Sequence, residues 1–418
     1  MADVVVAGGG PAGATLALLL GRAGLSVDLF EAKTFPREKP CGEGIMPAGV
    51  AVLERAGLRE AVGGHVLASV RYHGFGMTAE SGFPARAPAG AGPGAGSDAP
   101  VVGLGVRRLH LDAVLLATAR STPGVRVYEQ TAVEGAVVED GRAVGLRVGG
   151  ELRRGALVVA ADGLESPVRR SLGLDARRRD DRRVGVRMHF RFASGQAGPS
   201  RLEIFVGRGY ELYAAPLPHG ELLLAALGDR HLMAGGARAA FKRWIAAEPL
   251  LAGWLEGAAE LTAPEGRAPV TRRARAGWAP GVMLLGDAAR ATDPLTAGGI
   301  AHALVTAERL AAVVPHYMAE GDVHLARFDH ERRRLLRAHD WLTRALVFLV
   351  ERPALARAAL LGMRAAPGLM RTLLGIGGGV AIQPPRMTTM VAASWTAPAL
   401  VSSATDQNAT PSKRAKSA

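Results

Sequence analysis

Val4-Val5-Val6-Ala7 is a short apolar run that leads straight into Gly8-Gly9-Gly10-Pro11-Ala12-Gly13. Such a run, bounded by glycine, reads as a fully buried strand. Residues Pro11 to Gly24 carry leucine and alanine at helical spacing, and Ser26 to Glu31 reads as a second strand. A GxGxxG that follows a strand and opens a helix is a dinucleotide cradle in which each glycine has a reason. Gly8 permits the tight turn, Gly10 lets the backbone approach a diphosphate, and Gly13 lets helix and sheet pack closely. The helix N-terminus, with Pro11 and Ala12 in the turn, offers free N–H groups and a positive dipole end to the phosphates. Glu31, at the end of the second strand, is placed to accept ribose hydroxyls. Alone, this segment demands a Rossmann-like α/β fold and leaves FAD and NAD open.

Two later segments also deliver a turn from a strand. Ala156 to Ala161 is apolar and ends in Asp162-Gly163, with Ser166 and Arg169 following; Val282 to Leu285 ends in Gly286-Asp287-Ala288-Ala289, then Asp293-Pro294-Leu295-Thr296-Ala297-Gly298-Gly299-Ile300. With Val106-Arg107-Arg108-Leu109-His110-Leu111-Asp112 between the first motif and the second, the order resembles that of the p-hydroxybenzoate hydroxylase and geranylgeranyl reductase group of flavin oxidoreductases. The resemblance implies bound FAD. It implies that Asp162 and Gly163 line the cofactor groove and that Asp287 hydrogen-bonds the ribityl chain. It places Arg108 at the diphosphate or ribityl side, and Pro294, Gly298, Gly299 and Ile300 beside the isoalloxazine ring. Ala32, Cys41, Gly42, Val133 and Gly286 are further cofactor contacts by the same resemblance. A helix starting near Gly299 points its dipole at the flavin.

The expected organisation is an FAD-binding domain from segments 1–75, 101–180 and 270–315, with a mixed β-sheet substrate domain at 181–269. C-terminal helices follow at 316–391. Residues 84–100, rich in Gly, Pro and Ala, read as a flexible insertion, and 392–418 as a disordered tail. The formal net charge of +13 is mostly arginine spread along the chain without an RNA-binding aromatic pattern, so it reads as a solvated basic surface and not as a nucleic-acid interface. The single cysteine, Cys41, permits no intrachain disulfide. The start of the chain lacks a signal-peptide pattern, which makes a cytoplasmic location the default expectation. No metal ligand is assigned.

Two flavin chemistries compete: NAD(P)H-driven oxygen insertion into a hydrophobic or aromatic small molecule, and reduction of an alkene. Lys39-Pro40-Cys41-Gly42-Glu43-Gly44 resembles the Pro-Cys-Gly stretch of prenyl reductases. Their Pro-x-x-Tyr-x-Trp-x-Phe-Pro motif is not met: counting back from Pro216, the positions hold Arg208, Glu211, Tyr213 and Ala215. The Trp-x-Trp segment of the flavin halogenases is also missing. The reading therefore favours a monooxygenase, with the alkene reductase as alternative and a non-catalytic FAD protein as a minor one. Candidate reacting groups are Cys41, Pro294 and Tyr213. Tyr210 and Tyr213, on the sheet expected to roof the site, and Arg187 and His189, alternating on one strand, are the substrate candidates; core packing and a water-facing surface are their structural alternatives. Arg357, Arg364 and Arg371 recur among leucines of the C-terminal helices. That spacing suits either a solvated basic face or peripheral contact with an anionic membrane.

Overall fold

Three apolar strands from distant parts of the chain lie parallel and end level with one another. Ala2–Ala7 pairs with Glu151–Ala160, which pairs in turn with Val282–Leu284, so Ala7 faces Ala160 and Ala160 faces Leu284. Val27–Phe30 and Val125–Tyr128 extend this sheet beyond Ala2–Ala7. Parallel strands covered on both faces need apolar residues in unbroken series; Val4, Val5, Val6, Leu157, Val158 and Val159 are all completely buried. The computed structural model describes residues 1–84, 101–176, 182–196, 198–268 and 270–379. The expected insertion (beyond Pro84) and the expected tail lie outside the described residues.

Helix α1 (Pro11–Arg22) has proline at its first position, where a missing N–H is harmless, and Arg22 against the negative end of its dipole. Helix α2 (Arg108–Arg120) opens on Arg108 and carries Leu111 and Asp112 at its start. Helix α3 (Pro167–Ser171) is capped by Ser166, whose hydroxyl accepts the Arg169 N–H. Helix α4 (Gly299–Glu320) buries Ile300, Leu304, Ala307, Leu310, Val314 and Tyr317, a three-and-four spacing that presents one apolar stripe to α1.

The second sheet is largely antiparallel. Glu221–Asp229 lies between Arg183–Arg191 and Tyr210–Leu217, and Leu202–Val206 continues the sheet. Ser69–Gly74 then pairs parallel with Leu202–Val206, and Met77–Gly82 forms the edge. Residues 69–74 therefore belong to this sheet and not to the first layer, as their sequence position suggested; the partner strand is far along the chain and leaves no local signal. Helices α5 (Val323–Val350), α6 (Pro353–Ala365) and α7 (Pro367–Gly377) follow α4, with α6 and α7 packed on the Met77–Gly82 edge.

Candidate active site

Because the three strands end in register, the turns after Ala7, Ala160 and Leu284 meet at one edge, where open α/β sheets bind ligands. A large cavity lies there. Gly10, Pro11, Ala12, Gly163, Gly286 and Asp287 line one side of it, Lys39–Gly44 and Arg108 another, and Arg187, Tyr213 and Leu227 reach it from the second sheet. Pro294, Gly299, Ile300 and His302 complete it from the α4 end.

The glycines of the first motif divide into two kinds. Gly8 has φ +98°, and a Cβ there would overlap the Ala161 carbonyl; a Cβ on Gly13 would overlap the Gly8 carbonyl. Both are packing positions off the cavity wall. Gly10 has only Arg37 Nη2 nearby, 4.0 Å from where a Cβ would stand. Here the backbone is open to a ligand, as a diphosphate cradle requires. Glu31 is buried; Oε2 accepts the Gly9 N–H at 2.8 Å and Oε1 the Lys33 N–H at 2.9 Å. It pins the loop, and each oxygen keeps a lone pair.

Arg37 and Lys39, which sequence reasoning did not single out, add cationic charge beside this opening. Arg37 lies 3.4 Å from Asp112 and 3.8 Å from Glu31. Burial, aided by the charges of Arg108 and Arg37, pushes the Lys39 ammonium below the usual lysine range, while Asp287 opposes that shift. An open glycine turn, a helix N-terminus and three cations around one cavity fit the diphosphate of a dinucleotide.

The other residues expected at the cofactor are placed in different ways. Asp162 is not among the residues lining the cavity; its Oδ2 accepts the Val168 N–H at 3.2 Å, its Oδ1 is buried, and Gly163, at φ +80°, carries the wall. Arg108 lines the cavity but is already held by Asp112 in a two-pronged pair of 2.7 and 2.6 Å. Ala32 is exposed outside the lining, and Val133 packs beside a core cluster under the first sheet. Gly298 backs onto a histidine pair, since a Cβ there would overlap His339 Nε2, whereas Gly299 faces open space. His302 and His339 stack edge-to-face at 4.1 Å. Burial pushes the His302 imidazole down, and it lowers His339 to about 4, so both rings are neutral at physiological pH.

Arg187 and His189 share a face, as their alternation requires, but neither is exposed to water. Arg187 donates to Glu38 at 2.7 Å and to Glu265 at 2.9 Å, and His189 Nε2 lies 2.8 Å from Glu43 Oε2. Glu43 also accepts the Arg108 N–H at 3.0 Å. Only Arg187 of the pair reaches the cavity. Glu43 thus fastens the Cys41 loop to both sheet and α2; its partners lie far along the chain, which hid the role. Cys41 lines the cavity, and its Sγ accepts the Glu43 N–H at 3.4 Å.

Tyr210 stacks on Trp244 at 5.1 Å, on the opposite side of the sheet from the cavity, so core packing is its role. Tyr213 points the other way and is buried at the cavity wall. Its hydroxyl lies 3.1 Å from Glu211 Oε2 and also contacts the Leu295 carbonyl. Burial is the main influence on Glu211 and raises its carboxyl to about 8, outweighing Arg183. One tyrosine O–H cannot donate to two acceptors. A protonated Glu211 resolves this by donating to Tyr213, which donates to Leu295.

A second, smaller cavity shares Leu202, Tyr213 and Ala297 with the first. Met46, Val70, Ile204, Leu346, Met370 and Leu374 line it, and among the described residues Tyr72, Tyr213 and Thr296 are its only hydroxyl-bearing side chains.

Residues 1–196 match the family model of the FAD binding domain, and residues 240–348 match that of tryptophan halogenase. The menaquinone reductase of Mycobacterium tuberculosis is 31% identical over 343 residues, spanning 74% of this chain and 76% of its own. The 6-methylpretetramide 4-monooxygenase of Streptomyces rimosus is 35% identical over 179 residues, 41% of each chain. A flavoprotein/dehydrogenase structure from Cytophaga hutchinsonii shares the fold, with a TM-score of 0.78 at 20% identity, covering 90% of this chain and 92% of that one. With the three motifs meeting at one cavity and the match to a reductase along most of both chains, this protein belongs to the FAD-dependent oxidoreductases of the p-hydroxybenzoate hydroxylase and geranylgeranyl reductase group.

Proposed function

We propose that the chain uses FAD to reduce a carbon–carbon double bond in an apolar, isoprenoid-like substrate. The observation that carries this reading is the apolar cavity that adjoins the cofactor cavity and shares Leu202, Tyr213 and Ala297 with it. A pocket with almost no polar lining favours a hydrocarbon chain and penalises a polar ligand, whose groups would lose water without gaining partners. The menaquinone reductase match along most of the chain supports the same reading, whereas the hydroxylase match spans 179 residues.

In this reading Gly10, Pro11 and Ala12 would cradle the diphosphate with Arg37, Lys39 and Arg108 balancing its charge, and Glu31 would accept ribose hydroxyls. Asp287 would hold the ribityl chain, and Pro294, Gly299, Ile300, Cys41 and Gly42, which line the same cavity, would receive the ring. FAD, when bound, supplies the hydride, and NAD(P)H or a partner reductase restores it. Saturating an alkene also consumes a proton; Glu211 and Tyr213 hold one at the junction of the two cavities. Asp287→Ala is expected to lower flavin retention about tenfold or more with folding intact, through loss of one hydrogen bond in a water-poor site. Flavin absorbance after gel filtration reads this, and full retention would remove Asp287 from its place.

Hydroxylation of a hydrophobic or aromatic molecule is the second reading. It is favoured by the departure of Arg208, Glu211 and Ala215 from the prenyl-reductase motif. The two separate in one experiment, in which chemically reduced protein is mixed with a prenylated quinone without oxygen. Flavin oxidation and a product heavier by two hydrogens are expected. No anaerobic oxidation, with oxygen-dependent gain of one oxygen atom by an aromatic substrate, would establish the hydroxylase instead.

A further inference from the structure

Helices α5, α6 and α7 carry an outer surface that the oxidoreductase site does not use. Eight arginines, from Arg333 to Arg371, are exposed there, against two carboxylates, Asp340 and Glu351, of which Asp340 is buried. Five of the eleven large apolar side chains exposed on the described residues fall in the same stretch: Trp341, Phe348, Leu355, Leu361 and Leu369. Trp341 is 65% exposed and Phe348 50%. On α5 the exposed residues Arg334, Arg337, Trp341, Arg344 and Phe348 recur every three or four positions, so they form one stripe. Arg352 lies over the Phe348 ring at 3.7 Å. Solvated basic helices normally mix both signs of charge and hide their aromatic rings. This layer does neither.

We propose that α5–α7 dock the enzyme on the surface of an anionic lipid bilayer, with the arginines at the headgroups and Trp341 and Phe348 entering the interface. Charge complementarity favours this occupant. A face with one net charge sign repels a second copy of itself, whereas anionic headgroups neutralise the arginines and the interfacial layer accepts aromatic rings. Among the described residues no helix is long and apolar enough to cross a membrane, so the contact is peripheral. Continuity with the interior supports the placement: Leu342, Leu346, Met363, Met370 and Leu374 of the same helices turn their opposite faces into the apolar cavity. A lipid-soluble molecule leaving the bilayer would meet these helices first. The docking itself does not depend on which reaction the flavin performs.

The test is co-sedimentation of the FAD-loaded full chain with vesicles, without substrate. Binding is expected to phosphatidylcholine vesicles containing phosphatidylglycerol in about a 2:1 ratio and to fall steeply with salt. Pure phosphatidylcholine should retain at least tenfold less. Reversing Arg334, Arg337 and Arg357 to glutamate should lower retention on anionic vesicles at least tenfold. Trp341→Ala with Phe348→Ala should also weaken it, with flavin content unchanged in both variants. Equal retention on neutral and anionic vesicles, or charge-reversed protein that binds like wild type, would overturn the proposal. So would a dimer seen by light scattering that the Trp341→Ala, Phe348→Ala variant dissociates, because a second copy would then cover this face.

Discussion

Arg169→Met is expected to lower the unfolding free energy by about 3–5 kcal/mol and to release most of the flavin. Arg169 is 1% exposed and ties the second motif to the third. Its Nη2 donates to the Leu164 carbonyl at 2.7 Å, its Nη1 to the Ala288 carbonyl at 2.9 Å, and its Nε to Asp175 at 2.6 Å. Methionine fills comparable volume but offers no donor, so two buried carbonyls lose their partner in the turns that frame the cofactor cavity. Arg169→Lys, with one compact ammonium in place of a planar fork, should restore part of the loss. Urea unfolding and flavin absorbance after gel filtration measure the two effects. A methionine variant that keeps full flavin and wild-type stability would show that the two motifs hold their positions without this bridge.

The second large effect concerns Glu211. An ordinary glutamate titrates near 4.5, and burial raises this one to about 8 in the folded chain. A carboxyl with a raised folded pKa binds its proton more tightly when folded. Its contribution to stability is therefore complete below the unfolded pKa and is lost as pH rises through the folded pKa. Across pH 5 to 8 the wild-type stability should fall, relative to Glu211→Gln, by about 1.4 kcal/mol per pH unit. By pH 8 the glutamine chain is expected to be more stable than wild type by on the order of 3–5 kcal/mol relative to their difference at pH 4.5. Glutamine can still donate to Tyr213, so the hydrogen bond to Leu295 survives and the comparison isolates the charge. Denaturant unfolding at a series of pH values reads the difference between the two curves; a difference that does not change with pH would mean Glu211 is ionised throughout.

The glycine turn between strand and helix is legible in the sequence because its requirements are local. A buried strand, a glycine turn and a helix start are written in consecutive residues, and Gly8, Gly10 and Gly13 stand where those constraints demand. The edge of the site was harder to read. Asp162 follows a strand and precedes a glycine as a cavity residue would, yet its carboxylate accepts the Val168 N–H of its own turn. Alternation on a strand placed Arg187 and His189 on one face correctly but carried no information on whether that face met water or protein. Tyr210 and Tyr213 lie three residues apart on one strand and so face opposite sides of the sheet, but only the position of that sheet between cavity and helices decides which of them meets the cavity.

What the chain by itself determined was the Rossmann-like layer, the order of its three motifs and the group they belong to, because short-range sterics and backbone hydrogen bonding leave few alternatives for those segments. The tertiary structure decided how Glu43 locks the Cys41 loop, where Lys39 and Arg37 meet the cradle, why burial raises the Glu211 carboxyl, and which apolar residues enclose the second cavity. Those features arise from residues far apart in the chain. Burial and charge are properties of what surrounds a side chain, and the surroundings exist only once distant strands and helices have packed.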